Sequence, residues 1–456
     1  MQTTPRNFRV RLGQIAGGGL ALVAMLFWGQ AAQAQSLIRD AEIEFTLRRV
    51  AAPLFKSAGL GARSVEMLVI NDPSLNAFVI NSRAIFLHSG LIMRLSKVDQ
   101  LQSVIGHELA HITSGHLVRR ALNQENAMTA IGIGILLAAA LSASSKTNAA
   151  AGGLAIGAAG SAIGNLLAHT RAEEATADQI GTQYLVMAGI DPRASIKALE
   201  IFKGQEALSV GRQDAYVLTH PLSDDRIRNL KSLADIYGGQ AEPTDPELLY
   251  WFDRMRAKFK GFLGAPSDTL RRVKAGDMSE PARLTRAIAY HRLPDTAKAM
   301  AEINGLLAIK PDDAYYHELK GQFLLENGQA SLAAPAYEKA VSLAPDEALI
   351  LAGYGRALLA IGTTSTDAKA LELLNHARDM DPRDAGMLRD LALAYAKSGD
   401  NGMASLVTAE RYALLTRFKD AQTNALRAEG LLARGSSGWL RAQDIIAATK
   451  PALTKN

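Results

Sequence analysis

Three prolines in the C-terminal half of the chain recur at nearly constant spacing. Pro311 and Pro345 are 34 residues apart, and Pro382 follows after another 37. A period of 34 residues is typical of the tetratricopeptide repeat, a helix-turn-helix unit with small and aromatic residues at fixed positions. The segment 314–347 has such residues at Gly321, Ala333, Tyr337 and Ala340. Because one unit cannot bury its apolar face alone, residues 281–450 are predicted to form stacked repeats, with an ordinary helical bundle as the alternative.

The N-terminal half contains an HExxH sequence at residues 107–111. It lies in a predicted helix that Ser96 and Asp99 are expected to cap. Residues four apart share a face of a helix, so His107 and His111 can bind one metal ion. Glu108 can reach a water on that ion and accept its proton. The sequence therefore predicts a catalytic zinc centre, which still needs a third protein ligand.

The third ligand is not a nearby histidine. The pattern HExxHxxGxxH would need glycine at 114 and histidine at 117, where the chain has Ser114 and Leu117. His116 is out of register with that pattern and is interpreted as a structural or surface residue.

A carboxylate from a later helix is the better candidate for the third ligand. Glu174 and Asp178 are four residues apart and face the same way on a helix. Glu174 is predicted to bind the metal, while Asp178 holds the free N–H of a metal-bound imidazole. Glu173 competes for the ligand role but lacks an acidic residue four positions later. Small residues at Ala175 and Ala177 are expected to let the two helices approach closely.

Short β-rich segments precede the HExxH helix. After a helix over 36–50, the segments 65–70, 77–80 and 84–87 are predicted to form a small antiparallel sheet. The expected fold class is α+β and mostly helical, a zincin-like metallopeptidase domain followed by an all-α repeat domain. The predicted domains are a signal peptide at 1–34, a metallopeptidase domain at 35–235, a helical linker at 236–280 and repeats at 281–450.

The first 34 residues have the pattern of a cleavable secretory signal peptide. Arg6, Arg9 and Arg11 precede an apolar run, and Ala32-Gln33-Ala34 is a small-x-small cleavage sequence. A retained membrane anchor is the alternative. Cleavage would remove three of the positive charges and lower the formal net charge from +5 to +2. The charge balance therefore gives no support for nucleic-acid binding, and export to the periplasm is expected.

Residues 126–168 are almost without charge, with Lys146 as the exception. They are predicted to form an apolar helical hairpin packed on the peptidase domain. A transmembrane hairpin and a lid that touches lipid are the alternatives, since the length suffices to cross a bilayer but alanine, glycine and serine dominate the composition. Peripheral membrane contact through this segment is thus one expectation.

The chain has no cysteine, which excludes disulfides and thiolate ligands.

These motifs together resemble the gluzincin-type HExxH zinc metallopeptidases, the group that includes the CAAX prenyl proteases. The shared segments are Asn76-Ala77-Phe78, Gly90-Leu91-Ile92, HELAH with His116, Glu174-Ala175-Thr176-Ala177-Asp178 and Thr219-His220-Pro221. The resemblance implies Zn²⁺ bound by His107, His111 and Glu174. It also implies an active-site role for His220 and Arg226, in which His220 either stabilises the oxyanion or occupies the fourth zinc position.

The resemblance further implies a role in envelope protein quality control. The predicted function is zinc-dependent hydrolysis of peptide bonds in misfolded or misassembled envelope proteins, with the repeats recruiting substrate or the outer-membrane assembly machinery. An extended substrate is expected to pair with a sheet edge beside the zinc. Two alternatives are kept: a repeat-based periplasmic chaperone or scaffold with incidental proteolysis, and an integral membrane peptidase.

Overall fold

The computed structural model describes residues 37–117, 171–205 and 213–454. The predicted signal peptide and the predicted apolar hairpin at 126–168 both lie outside these residues. Within the described ranges, no helix combines the length and the apolarity needed to cross a membrane. The predicted fold class is confirmed, because a four-stranded sheet with helices is followed by a long all-helical region.

The sheet is mixed, so the prediction of a wholly antiparallel sheet is wrong. Its strands are β1 (Leu37–Ile38), β2 (Glu66–Ile70), β3 (Ala77–Asn81) and β4 (Ala84–His88), in the order β1-β2-β4-β3. β1 is antiparallel to β2 and β3 is antiparallel to β4, but β2 and β4 are parallel. The connection 71–76 leads the chain beyond the position that β4 later takes, and β3 forms there. β4 then runs back between β2 and β3, parallel to β2.

A tight contact fixes this connection against the helix that follows β4. Helix α1 (Ala41–Ser57) comes earlier in the chain, and helix α2 (Ser89–Arg94) begins directly after β4. The backbone N–H of Gly90 donates to Asp72 O at 2.9 Å. A Cβ atom on Gly90 would lie 2.1 Å from Pro73 O, so only glycine fits here. The start of β3 is thereby held in place.

The apolar core lies between the sheet, α1 and helix α3 (Val98–Thr113), which contains the HExxH sequence. Helix α1 begins later than predicted because Leu37 and Ile38 join the sheet. The predicted cap of α3 is also wrong. The side-chain oxygen of Gln100 accepts from the backbone N–H of Ser96 at 2.8 Å and from that of Lys97 at 3.0 Å, so Lys97 and Gln100 hold the capping-box positions predicted for Ser96 and Asp99.

Further helices complete the peptidase region and connect it to the repeats. They are α4 (Arg171–Met187), α5 (Arg193–Leu199), α6 (Ala215–Thr219), α7 (Asp224–Tyr237), α8 (Pro246–Leu263) and α9 (Pro266–Arg272). Helix α4 packs along α3, while α8 packs between α1 and the first repeat helix. The two helices that carry the HExxH sequence and Glu174 are therefore neighbours.

The C-terminal region is a stack of antiparallel helix pairs. The helices are α10 (Glu280–Arg292), α11 (Thr296–Ile309), α12 (Ala314–Glu326), α13 (Ala330–Leu343), α14 (Ala348–Ile361), α15 (Thr364–Met380), α16 (Ala385–Lys397), α17 (Asn401–Leu414), α18 (Phe418–Leu431) and α19 (Ser437–Thr454). The three periodic prolines fall between successive pairs. The ring of Tyr337 packs so closely on Gly321 and Gly353 that a Cβ atom there would lie 2.7 Å and 2.5 Å from it. The predicted helical repeat region is confirmed.

A buried ionic network joins the repeat region to the peptidase region. Arg254 of α8 is fully buried, and its Nε donates to Glu42 Oε1 of α1 at 2.6 Å. The same guanidinium donates to Asp313 at the start of α12. Lys258 of α8 donates to Asp40 Oδ1 at 2.8 Å. Since loss of one partner from a buried ion pair costs about 3–5 kcal/mol, this network fixes the repeats relative to the peptidase region.

Candidate metal centre

Helices α3 and α4, together with the end of α6, bring four buried side chains to one point. One ligand atom each from His107, His111, Glu174 and His220 lies within 4.8 Å of the others. The Nε2 atoms of His107 and His111 are 3.1 Å apart. Each of these two nitrogens also lies 3.4 Å from an oxygen of Glu174. Glu173, the competing carboxylate, is partly exposed and is not a member of this cluster.

The close approach of α3 and α4 depends on glycine rather than on the predicted alanine pair. Ala177 is fully buried at the contact, but Ala175 is exposed. A Cβ atom on Gly181 would lie 3.2 Å from the backbone carbonyl of Gly106 and from Cα of His107. Any larger residue at 181 must therefore push the HExxH helix away from the helix that carries Glu174.

We expect Gly181→Val to weaken zinc binding about tenfold or more, the size seen when groups that orient metal ligands are disturbed. Overpacking at this contact is also expected to lower the free energy of unfolding by about 1–3 kcal/mol. Competition with a chromophoric chelator measures the affinity, and urea denaturation measures the stability. Ala175→Val, on the exposed face of the same helix, is the matched control. Equal zinc affinity in the two variants would show that the contact does not position the site.

Asp178 and Arg226 lie directly behind the cluster. Asp178 Oδ1 is 3.0 Å from His107 Nδ1, which leaves Nε2 of that imidazole facing the cluster. Arg226 donates to both oxygens of Asp178, at 2.8 Å and 2.9 Å, and its Nη1 lies 2.6 Å from Glu174 Oε2. Burial opposes ionisation of both carboxyl groups. The charge of Arg226 nevertheless holds the pKa of Asp178 below its ordinary value. His220 and Arg226 together hold the pKa of Glu174 well below its ordinary value.

His116 is a component of the site that sequence reasoning did not place there. Its Nδ1 lies 2.9 Å from Nδ1 of His111, and the residue is buried. Helix α3 ends at Thr113, and Gly115 has a positive φ of 65°, so the chain turns back and brings His116 beside the imidazole one turn earlier. A glycine just after a helix is a recognised stop signal, and it was the available clue.

His220 reaches the cluster from the end of α6. Its Nδ1 lies 3.1 Å from Glu174 Oε1, and its Nε2 lies 3.2 Å from the carbonyl oxygen of Ala77 in β3. Thr219 donates to Asn76 Oδ1 at 3.3 Å, and the N–H of Tyr216 donates to Leu75 O at 3.1 Å. These bonds fasten α6 to the beginning of β3, so His220 sits between the edge strand and the cluster.

Glu108 is fully buried, and neither of its carboxylate oxygens accepts a hydrogen bond from the described residues. Its Oε1 lies 3.3 Å from His220 Nε2. Burial raises the pKa of this carboxyl. Burial also lowers the pKa of His111 to about 3, which keeps that imidazole neutral, the form that binds metal. Two imidazoles, one carboxylate and a second carboxylate that accepts no hydrogen bond from the described residues fit a catalytic zinc ion.

Comparisons with known proteins agree with this chemistry. Residues 38–234 match Peptidase family M48. The beta-barrel assembly-enhancing protease of Yersinia pestis is 26% identical over 360 residues, which cover 77% of this chain and 72% of that protein. Its namesake in Escherichia coli (strain K12) is 27% identical over 395 residues, 84% of this chain and 78% of that protein.

A more distant relative shares the peptidase region alone. The mitochondrial metalloendopeptidase OMA1 of Schizosaccharomyces pombe is 29% identical over 183 residues, 40% of this chain and 50% of that protein. The family match and the buried histidine and glutamate cluster confirm the enzyme class and the cofactor that the sequence predicts. Residues 38–234 are thus similar to Peptidase family M48, and the chain is a zinc-dependent metalloendopeptidase.

Proposed function

We propose that the protein hydrolyses peptide bonds in misfolded or misassembled envelope proteins. His107, His111 and Glu174 hold Zn²⁺, and Glu108 is the general base. The observation that carries the proposal is the meeting of two helices, one with both imidazoles and one with the carboxylate of Glu174, beside the buried carboxylate of Glu108, which accepts no hydrogen bond from the described residues.

Zinc at this site supplies a Lewis acid that lowers the pKa of water and polarises a carbonyl group. Glu108 takes a proton from the attacking water and delivers it to the leaving amide nitrogen. The raised pKa of this buried carboxyl favours the first transfer, because a base of higher pKa accepts the proton more readily. Asp178 keeps His107 in the tautomer that presents Nε2, and His116 orients His111.

Arg226 is a positioning residue in this proposal. Its guanidinium is engaged by Asp178 and Glu174, so its charge supports the two carboxylates and is not directed at a substrate oxyanion. The membership of His220 in the cluster supports a role as a fourth metal ligand. Stabilisation of an oxyanion is the other role that the sequence suggested.

The edge strand beside the site supports binding of extended substrate. β3 pairs with β4 on one side alone in the described sheet, and its Ala77 carbonyl contacts His220. A peptide added to this edge would receive main-chain hydrogen bonds with little sequence preference, which suits unfolded proteins.

The signal-peptide pattern and relatives named for beta-barrel assembly support a periplasmic role on outer-membrane proteins. The repeats are proposed to recruit such substrates or their assembly machinery.

Removal of the metal tests the proposal. We expect a chelator to stop degradation of unfolded casein by the full chain, and one equivalent of Zn²⁺ to restore it. Zinc content by elemental analysis is followed alongside. Circular dichroism of the chelated protein is the control, because a loss of helix would mean that the metal holds the fold together. Casein cleavage that continues in metal-free protein would contradict the proposed chemistry.

A further inference from the structure

A cleft of about 590 Å³ lies between the sheet and the repeats, away from the metal centre. Its peptidase wall includes Leu37 of β1 together with Met67 and Leu68 of β2. Its repeat wall includes Met380 at the end of α15, Leu414 at the end of α17 and Phe418 at the start of α18. The volume is large enough for several side chains of a bound polypeptide.

The sheet has an unfilled position at this cleft. β1 pairs with β2 only at Val69 and Ile70, because the chain turns into α1 after Asp40. The remaining residues of β2 pair with β4 on their other side. The N–H of Glu66 is bonded toward β4, to Arg83 O, and successive residues of a strand direct their N–H and C=O groups to opposite sides. The peptide groups of Met67 therefore face the cleft, where the described strand β1 no longer covers them.

Three ion pairs link the two walls of the cleft. Arg39 pairs with Asp381, and Arg48 pairs with Glu347, each at 2.5 Å. Arg383 of the repeats pairs in turn with Glu66 of β2. Since four basic and five acidic residues line the cleft, their charges nearly balance, and the cleft does not select a strongly charged ligand. Its open strand edge and its apolar residues, Leu68 and Phe418 among them, select an extended segment with apolar side chains.

We propose that this cleft is an exosite, a second binding site that holds an extended apolar segment of the substrate as an added strand beside β2. The inference rests on the proposed function and names how the repeats take part in it. The order β1-β2-β4-β3 puts the exosite at one edge of the sheet and the strand β3, which lines the metal centre, at the opposite edge. Two added strands, one beside β2 and one beside β3, would lie four strand spacings apart, about 19 Å.

That separation makes the exosite selective for long substrates. A polypeptide must supply at least about six extended residues between the two edges to occupy both. An unfolded protein satisfies this condition easily. A short peptide that fills the catalytic edge does not reach the exosite, so its cleavage is independent of the cleft.

Phe418→Glu tests the exosite, because Phe418 is half-buried on the cleft wall at the start of α18. We expect KM for unfolded casein to rise about tenfold, the loss typical of removing an apolar anchor. Hydrolysis of an eight-residue fluorogenic peptide should be unchanged. Leu426→Glu is the matched control, since Leu426 is 51% exposed on the same helix and does not line the cleft. Phe418→Ala, with a smaller expected effect, covers the case in which the charge disturbs folding, as judged by thermal melting.

Binding is measured separately from cleavage. Fluorescent casein is titrated into the Glu108→Gln chain with and without Phe418→Glu, and weaker binding in the double variant supports the exosite even if the proposed catalytic role fails. Equal casein binding and equal KM in folded Phe418 variants would overturn it. A change in sedimentation mass caused by Phe418→Glu would also overturn it, because the occupant would then be a second copy of the chain.

Discussion

Replacing Glu108 with glutamine is expected to reduce kcat for peptide hydrolysis by about 10²–10⁴-fold, the usual contribution of a general base. The amide has nearly the shape of the carboxylate but cannot accept the proton of the attacking water. Because Glu108 lies outside the proposed ligand set of His107, His111 and Glu174, zinc content should stay the same. Single-turnover cleavage of a fluorogenic peptide and elemental analysis of the same sample measure both quantities.

The stability of this variant separates loss of chemistry from loss of fold. A buried carboxylate without hydrogen-bond partners is unfavourable, so the neutral amide should leave the melting temperature equal or higher. The same variant also distinguishes a protease from a repeat-based chaperone or scaffold. A scaffold would keep its cellular role after Glu108→Gln, whereas a protease would lose it. Full hydrolytic activity in a zinc-loaded Glu108→Gln sample would remove Glu108 from the reaction.

The sequence predicted those parts of the site that depend on spacing within one helix. His107 and His111 are four residues apart, as are Glu174 and Asp178, so the helical repeat alone orients each pair. The structure brings the two pairs together, with Asp178 on His107 and Glu174 between the imidazoles. The repeat region was predictable for a similar reason, since its period expresses a contact that each unit makes with the next.

Features that depend on contacts between distant segments could not be read from local pattern. The parallel pairing of β2 with β4 follows from a crossing connection whose length does not reveal its path. The packing of Gly181 on Gly106 joins residues 75 positions apart, and the hydrogen bond between Arg254 and Glu42 joins residues 212 apart. The contact of His116 with His111 was not predicted, because a helical wheel was continued past Thr113, where the helix ends.

Replacing Glu174 with glutamine is expected to weaken zinc affinity by at least about 100-fold, because even groups behind the ligands contribute 10–100-fold. The carboxylate is fully buried, and its oxygens lie 3.4 Å from Nε2 of His107 and from Nε2 of His111. His220 and Arg226 keep it ionised by lowering its pKa. A neutral amide has the same size but is a much poorer zinc ligand.

The matched control is Glu173→Gln, which makes the identical chemical change one residue earlier, at a partly exposed position outside the cluster. This variant should bind zinc as the parent does. Competition titration with a zinc chelator compares the two variants directly. If Glu173→Gln lost zinc while Glu174→Gln kept it, the carboxylate ligand would be the wrong one of the pair. Parent-like affinity in both would mean that α4 contributes no ligand, and that His220 completes the site with the two histidines of α3.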